Sequence, residues 1–353
     1  MKKVVIVGGG PAGLMAAKSL LDNDVPVLLI DHFNYLGGQL VKQTHKFFGS
    51  KDQYAKYRGF EIANNLVKDI KDHPKLELML STHVVALYDD HLLGVYNDEG
   101  YHDIFAERII LATGASEKFL AFENNDLPGV MGAGAIQTLM NVHGVLPGQE
   151  VVMIGSGNIG LIVSYQLIQA GVKVKAIVEA SDSIGGYLVH ASKLRRLGVP
   201  FMMNSTITKA NGSEFVESVE IINLKDQSSE IIDCDTCCIA VGLSPSIQLA
   251  SMVDAEFKYV RELGGDVVIT TESYESTVKG LYVCGDAAGI EEASSAMMEG
   301  AICGLHVAKS FGRSIQTELL ESYESQLNEL RAGPFGHKTT IGMSKLSGGA
   351  YVK

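Results

Sequence analysis

The chain has 353 residues, enough for two domains at about 150 residues each and long enough to bury a core without a disulfide or metal staple. Hydrophobic residues make up 46% and charged residues 20%, the balance of an ordinary globular protein. Lys and Arg number 29 against 41 Asp and Glu, and the net charge of −12 argues against nucleic acid or an anionic membrane as the main partner.

The first residues, Lys2-Lys3 followed by Val4 to Val7, have the basic-then-apolar order of a secretion signal. Gly8, Gly9, Gly10 and Pro11 interrupt the apolar run after four residues, and no small-residue cleavage site follows. No stretch approaches the roughly 18 uncharged apolar residues of a membrane span. Five cysteines (Cys234, Cys237, Cys238, Cys284 and Cys303), an odd number in a large chain, fit a reducing compartment better than a disulfide framework. The expected location is cytoplasmic.

An internal repeat organises the chain. Val4-Val5-Ile6-Val7-Gly8-Gly9-Gly10-Pro11-Ala12-Gly13 returns as Val151-Val152-Met153-Ile154-Gly155-Ser156-Gly157-Asn158-Ile159-Gly160. The first copy continues to Val27–Asp31 and Leu36-Gly37-Gly38-Gln39-Leu40, the second to Val174–Glu179 and Ile184-Gly185-Gly186-Tyr187-Leu188. Each copy reads as buried strand, glycine turn, helix, buried strand, a βαβ unit opening a parallel sheet. In such a turn the first Gly permits a tight bend, the second lets a pyrophosphate approach the backbone, and the third lets helix pack on strand. The helix N-terminus offers unpaired N–H groups and a positive dipole end to the phosphates. Asp31, 18 residues past Gly13, and Glu179, 19 past Gly160, are each placed to hydrogen-bond an adenosine ribose.

Between the repeats, Ile109–Gly114 (IILATG) closes the first half, and Leu127-Pro128-Gly129-Val130 with Leu146-Pro147-Gly148 reads as a crossover between domains. Cys238–Pro245 (CIAVGLSP) closes the second half. Gly280–Gly289 (GLYVCGDAAG) is then a strand running into an acid and a helix outside both repeats, so the first domain is expected to be split, with the second inserted into it. Expected boundaries are 1–117 with 250–330 for the first domain, 118–249 for the second, and a poorly ordered tail over 331–353. His45–Lys51 (HKFFGSK) is a mixed basic-aromatic stretch, followed by an amphipathic helix from about 60 to 72. No helical histidine pair suits a metal and no GxSxG elbow occurs.

Taken together, GGGPAG, ATG, GSGNIG and YVCGDAAG, in this order and at these distances, resemble the two-dinucleotide-domain flavoproteins related to thioredoxin reductase. The stretch from Leu127 to Ser246, with PGVM, LPGQEVVMIGSG and AVGLSPS, is most similar to a subgroup containing FAD-binding subunits of opine oxidase, dye-linked proline dehydrogenase and sarcosine oxidase-like complexes. The resemblance covers about residues 1–312 and implies an α/β fold of two Rossmann-like domains, the second inserted into the first.

For FAD it implies Gly8, Gly10, Pro11, Ala12, Gly13 and Asp31 at the ADP part, and Gly38, Gln39, Thr113 and Gly114 along the cofactor. Gly285 and Asp286 would meet the ribitol, and Ala293 and Ser294 would open a helix facing the flavin N1–O2 edge. For NAD(H) it implies Gly155, Gly157, Asn158, Ile159, Gly160, Glu179 and Gly242. No metal is implied and no catalytic side chain is assigned.

The chain departs from the family at three points. Thioredoxin reductases carry a redox CxxC in the second domain, yet no cysteine precedes Cys234 here. Cys234-Asp235-Thr236-Cys237 has the spacing but leads into a strand, where cysteines commonly serve as small buried hydrophobes. Nothing after Cys303 could ligate an iron–sulfur cluster, unlike the subgroup's longer members. Glu179 is followed by Ala180-Ser181-Asp182 rather than arginines, which disfavours a 2′-phosphate.

The expected activity is FAD-dependent transfer of electrons between NAD(H) and an acceptor or partner dehydrogenase subunit in amine or amino-acid oxidation. The partner would be a second flavoprotein or an iron–sulfur subunit, and a homo-oligomer is compatible. The alternatives are a disulfide reductase using Cys234 and Cys237, and a non-catalytic redox-sensing or scaffolding subunit. The acid-free tail from Arg331 with Lys338, Lys345 and Lys353 is a candidate contact for an acidic partner.

Overall fold

A computed structural model describes residues 2–47, 50–333 and 336–346. It divides into two compact units, Met1–Ser116 with Ser244–Lys353, and Glu117–Leu243. Along the first part of the first unit run β1 (Lys2–Val7), α1 (Pro11–Asp22), β2 (Val27–Ile30), α2 (Gly59–Ile70), β3 (Leu76–Met79), β4 (His83–Tyr88), β5 (Leu92–Asn97) and β6 (Gly100–Leu111). A short strand, β7 (Ala115–Glu117), leads into β8 (Val130–Gly132), α3 (Ala133–Asn141), β9 (Glu150–Ile154), α4 (Asn158–Gln169), β10 (Lys173–Glu179), α5 (Leu188–Arg196) and β11 (Phe201–Met203). The second unit ends with β12 (Ser205–Asn211), β13 (Ser218–Asn223), β14 (Ser229–Asp233) and β15 (Thr236–Ile239). The chain then returns through β16 (Leu243–Pro245), β17 (Phe257–Val260), β18 (Gly265–Val268), β19 (Leu281–Val283), α6 (Ala293–Ser310), α7 (Thr317–Ala332) and α8 (Gly336–Leu346).

The first unit is built on a sheet ordered β3-β2-β1-β6-β5-β4, with β19 beside β6. Strands β3, β2, β1 and β19 run parallel to their neighbours, whereas β4, β5 and the first half of β6 form an antiparallel meander. Alternation along β1 explains its unbroken apolar run. Val4 and Ile6 join the core under α1, α2 and α6, while Val5 and Val7 join a second core on the opposite face. A strand covered on both faces has no solvent side to carry polar residues. Helix α6 lies directly on α1, because a Cβ at Gly300 would overlap the Ala12 carbonyl and one at Gly304 would crowd Ala16. Each glycine costs the helix about 1 kcal/mol relative to alanine, offset by the close approach it permits.

The second unit repeats the plan. Its parallel sheet is ordered β11-β10-β9-β15-β8, and β12-β13-β14 form a separate meander. Val151 and Met153 face one core, Val152 and Ile154 the other. Strand β9 lies between β10 and β15 as β1 lies between β2 and β6. The fifth strand differs in origin: β19 reaches the first sheet from the end of the chain, whereas β8 precedes its own repeat. The chain thus has the expected fold class, two Rossmann-like α/β units with one inserted in the other.

Several sequence expectations are corrected in detail. The proline-glycine segments around Leu127 and Leu146 are no crossover: both lie inside the second unit, where Val130 begins β8 and Gly129 packs against Val216. The return to the first unit falls at Leu243/Ser244 rather than at 249/250, because Leu249 and Ala250 are buried in the first unit's core. Residues 336–346 form α8, not a disordered tail, with Met343 and Leu346 packed on Val260, Leu263 and Val267. The helix after the basic-aromatic stretch is α2, Gly59–Ile70, and Phe48 and Gly49 of that stretch lie outside the described residues, as does Lys353.

Candidate functional site

Each unit holds one glycine cradle, and the two are built alike. Gly8 and Gly155 have φ of +106° and +108°, a left-handed conformation in which a side chain is strained. A Cβ on either would also overlap the carbonyl of the neighbouring strand's end, Ala112 or Ala240. A Cβ on Gly13 or Gly160 would overlap the carbonyl oxygen of Gly8 or Gly155. The middle glycines are different. A Cβ on Gly157 would meet nothing within 4 Å, and one on Gly10 would come no nearer than 3.9 Å, to the Cα of Gly38. Packing accounts for the outer glycines and leaves the middle ones facing open space, which is the room a pyrophosphate needs.

The helices that follow reinforce this. Pro11 occupies the first turn of α1, where its missing N–H costs nothing, and neither α1 nor α4 has a side-chain cap. Their first-turn N–H groups therefore remain available to an anion, helped by the helix dipole. Ala12 is buried against α6, and Ile159 packs in the second unit's core, so these two residues shape the turns rather than expose side chains.

The acids close the turns from the far side. Asp31 is buried and accepts Gly9 N–H at 2.6 Å and Phe33 N–H at 2.8 Å. Glu179 accepts Ser156 N–H at 3.0 Å, the Ser156 hydroxyl at 2.6 Å and Ser181 N–H at 2.9 Å. Each carboxylate keeps lone pairs for further donors such as ribose hydroxyls. Burial pushes the Glu179 carboxyl up, but the hydrogen bonds from Ser156 and Ser181 outweigh it, and the net shift is below the ordinary glutamate value.

Around the first cradle, Gly38 lies against Gly10 at the start of a short 3₁₀ turn (Gly38–Lys42) that carries Gln39. Thr113 and Gly114 follow β6, with the Thr113 hydroxyl donating to Ser246 O at 2.8 Å and Gly114 at φ +70° with no neighbour within 4 Å of its Cβ position. Gly285 and Asp286 follow β19 in a 3₁₀ turn, and Ala293 and the buried Ser294 open α6, which also has no side-chain cap. Burial pushes the Asp286 carboxyl up to about 7 against the hydrogen bond it accepts from Glu291 N–H, with nearby Glu291 adding to the rise. These residues fit an elongated dinucleotide with an anionic centre. In the second unit's set, Asn158 Oδ1 accepts Tyr187 N–H at 2.8 Å, and Gly242, at φ +123°, follows two residues after Ala240, whose carbonyl faces Gly155.

The sequence reading missed three residues at the second cradle. Ser156 orients Glu179 and also accepts Gly185 N–H at 3.0 Å, while Gly185 and Gly186 lie against Gly157 and Asn158. The repeat itself carried the signal, since Gly37-Gly38 precedes Gln39 as Gly185-Gly186 precedes Tyr187. It also missed Glu291, Glu299 and Arg331 behind Asp286, which no local spacing connects.

The cysteines are poor redox candidates. Cys234, Cys237, Cys238, Cys284 and Cys303 are all buried free thiols. Burial pushes the Cys234 thiol up to about 12 and raises Cys237 further, whereas a nucleophilic cysteine needs its thiolate. Among the described residues no group of His, Cys, Asp and Glu could hold a metal ion, and no helix is long and apolar enough to cross a membrane.

Residues 2–300 match the family described as pyridine nucleotide-disulphide oxidoreductase. The chain belongs to this family. It is therefore related to oxidoreductases. It is 26% identical to the alpha subunit of sarcosine oxidase from Rhizobium meliloti, over 88% of this chain but 30% of that protein. It is 25% identical to an opine oxidase subunit of the same organism, over 90% of this chain and 73% of that one. Hydrogen cyanide synthase subunit HcnB of Pseudomonas aeruginosa is 26% identical, over 93% and 75%. The chain thus spans about a third of the sarcosine oxidase subunits it matches and about three quarters of the other two. Among solved structures, L-proline dehydrogenase from P. horikoshii superposes with a TM-score of 0.72 at 26% identity, covering 93% of this chain and 58% of that one. Thioredoxin reductase of T. acidophilum shares the fold, with a TM-score of 0.73 at 20% identity over 88% of this chain and 98% of that one.

Proposed function

We propose that the protein is an FAD-dependent oxidoreductase that passes electrons between NAD(H) and an acceptor or partner subunit of an amine or amino-acid oxidation system. The observation that carries this reading is the pair of matched cradles, each with a middle glycine whose Cβ direction is open and an acid closing the turn. The first unit's longer set, from Gly8 through Asp31 and Gly38 to Gly285, Asp286 and α6, suits FAD. The second unit's compact set, Gly155 to Gly160 with Glu179 and Gly242, suits NAD(H). Bound flavin would supply hydride and single-electron chemistry. The protein's share is to hold the pyrophosphates on helix N–H groups, anchor the riboses on Asp31 and Glu179, and receive ribityl hydroxyls at Asp286.

The similarity to subunits of sarcosine oxidase and opine oxidase supports a partner subunit. Burial of Cys234 and Cys237 weighs against the disulfide-reductase alternative. The isolated protein should take up FAD, reduce dyes or quinone-like acceptors with NADH, and leave proline, sarcosine and opines untouched. Robust oxidation of one of those amines by the isolated chain would replace the subunit reading. Flavin that NADH cannot reduce would favour a scaffolding role.

A further inference from the structure

The turn that carries Gly285 and Asp286 is held from behind by a residue 45 positions further along the chain. Gly285 N–H donates to the Glu299 carboxylate on α6 at 2.9 Å, and Glu291 N–H donates to the Asp286 carboxylate at 3.2 Å. Arg331, in the last turn of α7, ties the two glutamates together. Its guanidinium donates to Glu291 at 2.5 and 3.1 Å and to Glu299 at 2.5 Å. The Glu291 and Glu299 side chains are 6% and 4% exposed and that of Arg331 16%. A buried ion triad of this kind adds little net stability over apolar packing, but it fixes its members in one arrangement, and losing the cation strands two carboxylates.

Resting on the reading of Gly285 and Asp286 as the ribityl-binding turn, we propose that Arg331 is a positioning residue for FAD: by holding Glu299, which anchors the Gly285 backbone, and Glu291, whose N–H holds Asp286, it fixes the Asp286 carboxylate in the geometry that receives the cofactor. Helix α7 is thereby part of the flavin site without touching the flavin. The groups facing Glu299 are Arg331 from α7, Glu291 and Asp286 from the segment before α6, Tyr274 from the segment before β19, and Cys303 on its own helix. Burial, then Glu291, push the Glu299 carboxyl up to about 8, and Arg331 opposes that rise. Without Arg331 the carboxylates repel one another, and protonation at lower pH relieves them.

The test uses the full chain, stripped of FAD and titrated with FAD while flavin fluorescence is followed, with circular dichroism as the folding control. Because losing Arg331 lifts the Glu299 carboxyl beyond about 8, Arg331→Gln should weaken FAD binding about tenfold or more at about pH 9.5, and the defect should shrink at about pH 7. Arg331→Lys should recover only part of the affinity, because a single ammonium cannot reproduce the forked contact. The double variant Arg331→Gln/Glu299→Gln should recover most of it, since the amide oxygen introduced at position 299 can still accept Gly285 N–H. Should Arg331→Gln fail to fold, the lysine and double variants carry the same comparison. Binding within about twofold of the unaltered protein at both pH values, or a defect that neither pH nor the Glu299 change relieves, would overturn the proposal. Unaltered protein that takes up no FAD at all would instead remove the reading on which it rests.

Discussion

Ser156 gives Glu179 both its backbone N–H and its hydroxyl, at 3.0 and 2.6 Å. At the equivalent place in the first cradle Gly9 offers Asp31 only its N–H. The serine hydroxyl therefore pre-orients the second acid and keeps it ionised. On the proposed reading, an ionised Glu179 would accept hydrogen bonds from a ribose 2′-hydroxyl and repel a 2′-phosphate. NADH should be preferred over NADPH by about 2–4 kcal/mol, or about 30-fold or more in Kd. Of the three cations in the last turn of the nearby α5, Lys193, Arg195 and Arg196, the first two lie over the rings of Tyr165 and Phe201. Equal dissociation constants for the two nucleotides, measured by fluorescence titration, would contradict the assignment of Glu179.

The same carboxylate makes the second unit sensitive to acid. Its folded value lies below its ordinary one, so its stabilising contribution is full above the usual glutamate range and is lost as pH falls through the lowered value. Glu179→Gln should lower Tm at about pH 7, and the difference from the unaltered protein should vanish towards about pH 3. A difference that persists undiminished at the acid end would show that the carboxylate's charge is not what stabilises the turn.

Two glycines of the second cradle, Gly155 and Gly157, should respond differently to substitution. Gly157→Val places a side chain in open space at an ordinary φ of −66°, so stability should change by no more than about 1 kcal/mol while NADH binding is lost. Gly155→Ala, at φ +108° and against the Ala240 carbonyl, should destabilise the unit by about 2 kcal/mol or more. Thermal melts beside nucleotide titrations separate the two effects. If Gly157→Val binds NADH normally, the space beside that glycine does not receive the pyrophosphate.

Replacing both Cys234 and Cys237 with alanine removes two sulfur atoms from a core lined by Val152, Ile154 and Ile239. The cost should be about 1 kcal/mol per site in stability. NADH oxidation with an artificial acceptor should stay within a few-fold of the unaltered protein. A double variant that binds FAD and NADH yet no longer reduces an acceptor would establish a cysteine-dependent relay.

Much of this architecture is legible in the sequence because its strongest signals are local. A buried parallel strand must be apolar on both faces, so Val4–Val7 and Val151–Ile154 stand out, and each glycine turn follows within a few residues. The late strand at Leu281–Val283 is legible for the same reason. Unit boundaries are harder: Leu249 and Ala250 belong to the first unit's core, which only tertiary packing decides. In the tail, glycines and the lack of acids suggest disorder, yet two of its cations meet distant acids, Glu291 and Glu299 for Arg331 and Glu262 for Lys345. Of the tail lysines expected to meet an acidic partner, Lys345 is therefore already paired within the chain.

The central claim, one flavin site and one NAD(H) site working together, is tested most directly by an anaerobic titration of the FAD-loaded protein with NADH, followed by flavin absorbance. The account predicts that the oxidised flavin band bleaches fully with about one equivalent of NADH, with much weaker response to NADPH at the same concentration. A flavin band that NADH leaves unchanged, in a protein that binds both nucleotides, would contradict it.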